Sequence, residues 1–174
     1  MVEEFKENIS FYIDNFNIEL QLFKKGVEIK QRGYLTKTEF LNICLWKSRR
    51  PKKWYIQNTE AEIERLTKLA FGEKDELLKL KHLTSLKGVL IPTASAILSI
   101  TNPKDYPIID VRCVNSLKFL NIIEWETINN KNWLTYLEII RKMSFELNLS
   151  CREVEKGLFA YNRMYLDKEY KNLY

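Results

Sequence analysis

The chain is poor in the residues that build tight turns, cross-links and metal sites. Its 174 residues include five glycines, four prolines, three cysteines and one histidine. All-β architectures draw heavily on turn glycines, so this scarcity points to helices. Cys44, Cys113 and Cys151 are odd in number and widely spaced. That argues against a disulfide framework and for a reducing, cytoplasmic setting. There is no CxxC pair and no four-cysteine set for an iron–sulfur cluster. The one histidine, His82, lies in a Leu/Lys-rich stretch, which leaves a zinc site or a Ser-His-Asp or Cys-His device without support. No cofactor and no metal are expected. Long apolar runs are missing too. The longest, Val89 to Ile100, is too short to span a bilayer and is interrupted by Pro92, Thr93 and Ser95. The amino terminus, Met1-Val2-Glu3-Glu4-Phe5-Lys6, is acidic and amphipathic, unlike a signal peptide. A membrane is therefore not an expected partner.

What is present is ordinary globular chemistry with a local excess of positive charge. Hydrophobic residues make up 45% and charged residues 29%, which excludes wholesale disorder. The length suits one compact domain or two small lobes. Lys and Arg number 28 against 23 Asp and Glu, a formal charge of +5. Lys47, Arg49, Arg50, Lys52 and Lys53 fall in one run of seven residues, and without them the chain is neutral. Such a run fits a polyanion contact and equally a solvated basic loop.

The periodicity is helical nearly throughout. Phe5, Ile9, Tyr12 and Phe16 step by four, three and four. A helix from about Ile18 stops at Gly33. Capping boxes at Thr36-to-Glu39, Thr59-to-Glu62 and Ser150-to-Glu153 open three more. The second of these ends before Gly72, and Glu76 to Leu86 reads as a further helix. Trp133, Tyr136, Leu137, Ile140, Met143 and Leu147 form one apolar face, and a closing helix carries Val154, Leu158, Tyr161 and Tyr165 inward. Eight or nine short helices are expected, with no linker or repeat.

The informative stretch runs from Leu86 to Arg112. A helix ends near Leu86. Gly88 stands where a hairpin demands positive φ or close backbone approach, and Pro92 suits the first turn of the next helix. Thr93-Ala94-Ser95-Ala96 lets that helix pack closely. The amides of such a hairpin can hold a phosphate. Asp110 follows the apolar pair Ile108-Ile109 and precedes Val111, Val114 and Leu117, so it sits at the amino end of a helix that favours its carboxylate form. Plainer readings fit as well: an ordinary αα-turn at Gly88 and Pro92, an N-cap at Asp110, and a buried strand at Ile108-Ile109.

These residues resemble the helix-hairpin-helix base-excision DNA glycosylases, the HhH-GPD superfamily. The family pattern is roughly Leu-Pro-Gly-Val-Gly-x-Lys-Thr-Ala, then a loop, then an apolar residue and Asp before a helix. Leu86, Gly88, Val89, Thr93 and Ala94 match in register, and Asp110 lies eighteen residues after Pro92, a spacing several family members keep. The match covers residues 83–117. Leu90 replaces the second hairpin glycine, and Pro92 replaces the lysine that forms a Schiff base in bifunctional members. The cluster cysteines are missing, and the family's helix-end glutamine has no clear equivalent, Arg49 lying nearby.

The resemblance implies an all-α, two-lobed fold over residues 1–174. A central lobe spans 36–105 with the helix-hairpin-helix at 76–100, and 1–35 packs with 106–174 as the second lobe. It implies a monofunctional DNA N-glycosylase without strong lyase activity, acting in repair or in defence against modified phage DNA. Its partner is double-stranded DNA, and no obligate protein partner is implied. Lys87, Gly88, Val89, Leu90 and Thr93 would hold DNA together with Lys47, Arg49, Arg50, Lys52 and Lys53. Trp46, Trp54 and Tyr55 are candidates for the base pocket or wedge. The target nucleotide would flip into a pocket, and Asp110 would stabilise the positive sugar as the base leaves. A non-catalytic DNA-binding module of the same fold and a helical adaptor for an acidic protein are the competing expectations.

Overall fold

A computed structural model describes residues 1–14 and 20–166, apart from the side chains of Leu20 and Gln21. Phe16 and Ile18, which carried part of the amino-terminal pattern, lie outside the described residues. Among the described residues the chain is all helical, with no strand. Ile108-Ile109 accordingly lies before a helix and is not part of a sheet.

The helices are α1 (Val2–Glu7), α2 (Ile9–Asp14), α3 (Leu20–Arg32), α4 (Lys37–Lys47), α5 (Lys52–Tyr55) and α6 (Glu60–Gly72). They continue with α7 (Glu76–Thr84), α8 (Ile91–Thr101), α9 (Val111–Phe119), α10 (Asn130–Leu147) and α11 (Cys151–Tyr161), followed by a π-helical turn over Asn162–Leu166. The count exceeds eight or nine because short pieces escape a periodicity reading. The step from Phe5 to Ile9 is broken at Asn8, whose side-chain amide donates to Glu4 O at 2.8 Å and competes with the helical ladder.

The chain divides into two compact units, one of residues 1–18 and 107–174 and the other of residues 19–106. In the second unit α8 is the centre. Every residue from Thr93 to Thr101 is buried, as its small side chains allow, and α3, α4 and α7 pack around it. The approach of α3 is so close that a Cβ on Gly26 would fall 1.9 Å from Ile100 O. This contact places α3 with residues 36–105, so of the 1–35 segment expected to join the carboxyl-terminal half only residues 1–18 do so. The capping boxes of α4 and α6 are both formed, at Thr36 with Glu39 and at Thr59 with Glu62.

In the first unit α11 is central, contacted by α2, α9 and α10. Its capping box, Ser150 with Glu153, is formed. A Cβ on Gly157 would lie 2.8 Å from Ile9 Cγ1, so glycine is what admits α2. Tyr165, expected inward, lies beyond the end of α11 in the π-helical turn, where it is 47% exposed with one side of its ring against Tyr12 and Tyr161.

Candidate nucleic-acid interface

The connection between α7 and α8 is built from the residues the sequence singled out. Leu86 N–H closes on Leu83 O at 3.2 Å and Val89 N–H on Leu86 O at 3.0 Å. Between them Gly88 takes φ +83°. A side chain there is excluded twice, since its Cβ would also meet Trp54 Cβ at 2.9 Å and the Tyr55 ring at 3.0 Å. Pro92 occupies the first turn of α8, where its missing N–H costs nothing. Thr93 and Ala94 N–H both reach Leu90 O at 2.9 Å. Among the described residues, the N–H groups of Gly88, Leu90 and Ile91 donate to no protein acceptor. Three amides are thus presented at one turn and helix start, an arrangement suited to an anionic oxygen.

The turn is clamped from behind by Asn58, a residue the sequence reading missed. Its Oδ1 accepts from Lys87 N–H at 2.8 Å and its Nδ2 donates to Lys87 O at 3.1 Å. The same amide donates to Tyr55 O at 3.0 Å, tying α5 to the turn. Asn58 is 2% exposed, so these bonds are shielded from water. Only its position before the Thr59 capping box marked it in the sequence, and that signal is silent about a partner 29 residues away.

The basic run borders the same turn. Ser48 ends α4 in an extended conformation, Arg49 and Arg50 are exposed, and Lys52 and Lys53 lie exposed on the short α5. Lys47 is half-buried at the end of α4. Arg50, Pro51 and Trp54 form one side of a concavity of about 570 Å³ whose other side is Thr84 to Leu90. It gathers Arg50, Trp54, Lys87, Gly88, Val89 and Leu90 from the expected set. Residues 19–106 hold 17 Lys and Arg against 10 Asp and Glu, a formal +7. The remainder holds 11 against 13, a formal −2. The positive excess of the chain therefore belongs wholly to the unit that carries this concavity.

Three expected contacts are corrected. Tyr55 is 0% exposed, its ring edge-on to Phe40 at 6.0 Å and its hydroxyl 3.3 Å from Thr93 Oγ1, with burial raising its pKa. It has no free face for a base. Val89 and Thr93 have buried side chains and spend their amides on Leu86 and Leu90, so both are structural. Trp46 is half-buried, edge-on to Phe23 at 6.3 Å. Trp54 remains 47% exposed on the concavity, with Lys53 Nζ 5.2 Å from its ring centroid. Leu90, at the second hairpin glycine position, is 70% exposed.

Asp110 belongs to the other unit. It adopts extended φ −143°, ψ 152° and caps α9, its Oδ1 accepting from Arg112 N–H at 2.9 Å. It is half-buried, and Ile108 and Ile109 before it are buried. Tyr136 anchors this approach by donating its hydroxyl to Ile108 O at 2.9 Å. Burial holds the Tyr136 phenol well above its ordinary range, and the nearby Asp110 carboxylate acts in the same direction. A capped α9 thus carries a carboxylate at its amino end, positioned by backbone that the core fixes.

Among the described residues, no group of three or more His, Cys, Asp or Glu side chains is arranged to hold a metal ion, and no helix is long and apolar enough to cross a membrane. Cys44, Cys113 and Cys151 are buried and unbridged, and burial raises the Cys44 thiol far from any reactive range. Comparison with family models, with curated proteins and with solved structures yields no match for this chain.

Proposed function

We propose that the chain is a monofunctional DNA N-glycosylase of the helix-hairpin-helix type. The observation that carries the reading is the 85–90 turn. Its Gly88 has a positive φ, its amides at Gly88, Leu90 and Ile91 are unspent, and it shares one concavity with Arg50, Trp54 and Lys87. On this reading the amides take one backbone phosphate, the Arg50 and Lys87 side chains take its neighbours, and exposed Trp54 stacks on a base or enters the gap left by a flipped nucleotide. Asp110 is the carboxylate that stabilises positive charge on C1′ as the base departs, or steers water to it, leaving an abasic site. Pro92 has no amine, so strand cleavage through a Schiff base at that position does not accompany base loss.

The test is incubation of the protein with duplexes carrying alkylated, oxidised, mismatched and phage-type modified bases, followed by alkali to reveal abasic sites. Release of a base from one of these duplexes supports the reading. Duplex binding without release from any of them favours the second reading, a non-catalytic DNA-binding module. One observation supports that alternative directly: Asp110 already has a structural task as the cap of α9.

A further inference from the structure

A concavity of about 330 Å³ opens in the unit of residues 1–18 and 107–174, and its wall is aromatic. Phe5, Tyr12, Phe119, Tyr161 and Tyr165 line it. The rings hold one another in place. Tyr161 stands nearly perpendicular to Phe5 and to Tyr12, with centroids 5.4 Å apart in both pairs, and Tyr165 stands perpendicular to Tyr12 at 6.1 Å. Phe5 and Tyr12 are buried, while Phe119 and Tyr165 are exposed at the mouth. Glu4 adds a carboxylate to the same lining, and no lysine or arginine side chain joins it among the described residues. Burial raises the phenols of Tyr12 and Tyr161, and the Glu4 charge acts in the same direction on both. The cations nearby in sequence are engaged elsewhere. Lys6 pairs with Glu3 and Glu146, and Arg163 lies 6.0 Å from the Phe159 ring centroid. Among the described residues Glu4 is ion-paired to no cation, not even to the α-amino group of Met1, which also lines the concavity.

Aromatic faces carry partial negative charge, so several rings around one space attract a cation. A carboxylate in the lining strengthens that preference and repels an anion. A bare ammonium is a compact, strongly hydrated charge that loses much on leaving water. A trimethylammonium group spreads its charge over methyl surface and buries against rings at far lower cost. We propose that this concavity binds a small molecule bearing a trimethylammonium group, of the size of choline. Its methyl groups lie against Tyr12, Tyr161 and Tyr165, and its charge faces Glu4. Phe119 ends α9 and Asp110 caps its start, so the two ends of that helix lie about 13 Å apart at 1.5 Å per residue. The site is therefore separate from the Asp110 carboxylate, and the proposal stands whether or not the chain releases bases.

The experiment is calorimetric titration of the full chain with choline. Two separate arms use 3,3-dimethyl-1-butanol, which has the shape of choline without its charge, and ethanolamine, which has the charge without the methyl groups. Choline is expected to bind about tenfold more tightly than either. Glu4→Gln and Tyr165→Ala, both at exposed positions, are each expected to weaken choline by about threefold or more without shifting the thermal midpoint. Tyr165→Phe keeps a ring face and is expected to retain most of the affinity. Absence of saturable choline binding by the wild-type chain, equal affinity for the neutral isostere, or undiminished binding by both Glu4→Gln and Tyr165→Ala overturns the proposal. Base release and duplex binding, measured on the same variants, are expected to be unchanged, which keeps the two readings separately testable.

Discussion

Asn58 and Lys87 are joined by two hydrogen bonds of opposite sense, Lys87 N–H to Oδ1 at 2.8 Å and Nδ2 to Lys87 O at 3.1 Å. One side chain thereby satisfies both backbone groups of a turn residue and leaves the lysine side chain exposed. The turn is fixed by an element 29 residues earlier, with no need for the second glycine that Leu90 replaces.

Asn58→Ala leaves a buried N–H and C=O without partners, so it is expected to lower the unfolding free energy by about 1–3 kcal/mol. Duplex affinity falls with it because the turn loses its support. Urea unfolding and a duplex-binding isotherm at one salt concentration check both effects.

Gly88→Ala places a Cβ at φ +83° and 2.9 Å from Trp54 Cβ. The left-handed conformation alone costs about 1–2 kcal/mol, and the contact adds to it. The expected result is a lower unfolding midpoint in urea together with weaker duplex binding. A stable Gly88→Ala protein with full affinity would show that the turn is not the contact.

Duplex binding is expected to fall steeply with salt, and Arg50→Gln and Lys87→Gln each reduce the slope of log K against log salt by about 1. Trp54→Ala weakens binding and leaves that slope unchanged, since a stacking contact releases no counterions. A duplex affinity indifferent to salt would contradict contact with the phosphates.

Tyr12 supplies a pH dependence. Burial, and then the neighbouring Tyr165, push its phenol up from 10 to about 12. The folded state therefore holds a proton that the unfolded state releases earlier. The stabilisation is complete below pH 10 and is lost as pH rises from 10 through 12. The drop is expected to be of the order of 1–2 kcal/mol, and Tyr12→Phe flattens it. Urea midpoints measured between pH 9 and pH 12 read the difference.

Local features were legible in the sequence and non-local ones were not. The capping boxes at Thr36, Thr59 and Ser150, the helix stop at Gly33, the positive φ of Gly88 and the capping position of Asp110 all follow from chemistry within four residues. The burial of Tyr55 depends on Phe40 and Thr93 arriving from other helices, and nothing in the Trp54-Tyr55 pair says which ring faces out. The same holds for the placement of α3 beside α8, since a helix stripe records that it is buried and not against what. The basic run was visible, yet the split of charge into +7 and −2 needed the division into units.

Asp110 tests the central claim most directly, because Asn and Ser also cap helices and so remove the charge while keeping α9 capped. The measurement is the single-turnover rate of base release from the responding duplex for the wild-type chain, Asp110→Asn and Asp110→Ser, with duplex affinity and thermal midpoint recorded alongside. The account predicts that both variants stay folded and bind DNA while base release falls at least a hundredfold. Release at the wild-type rate by either variant would contradict it.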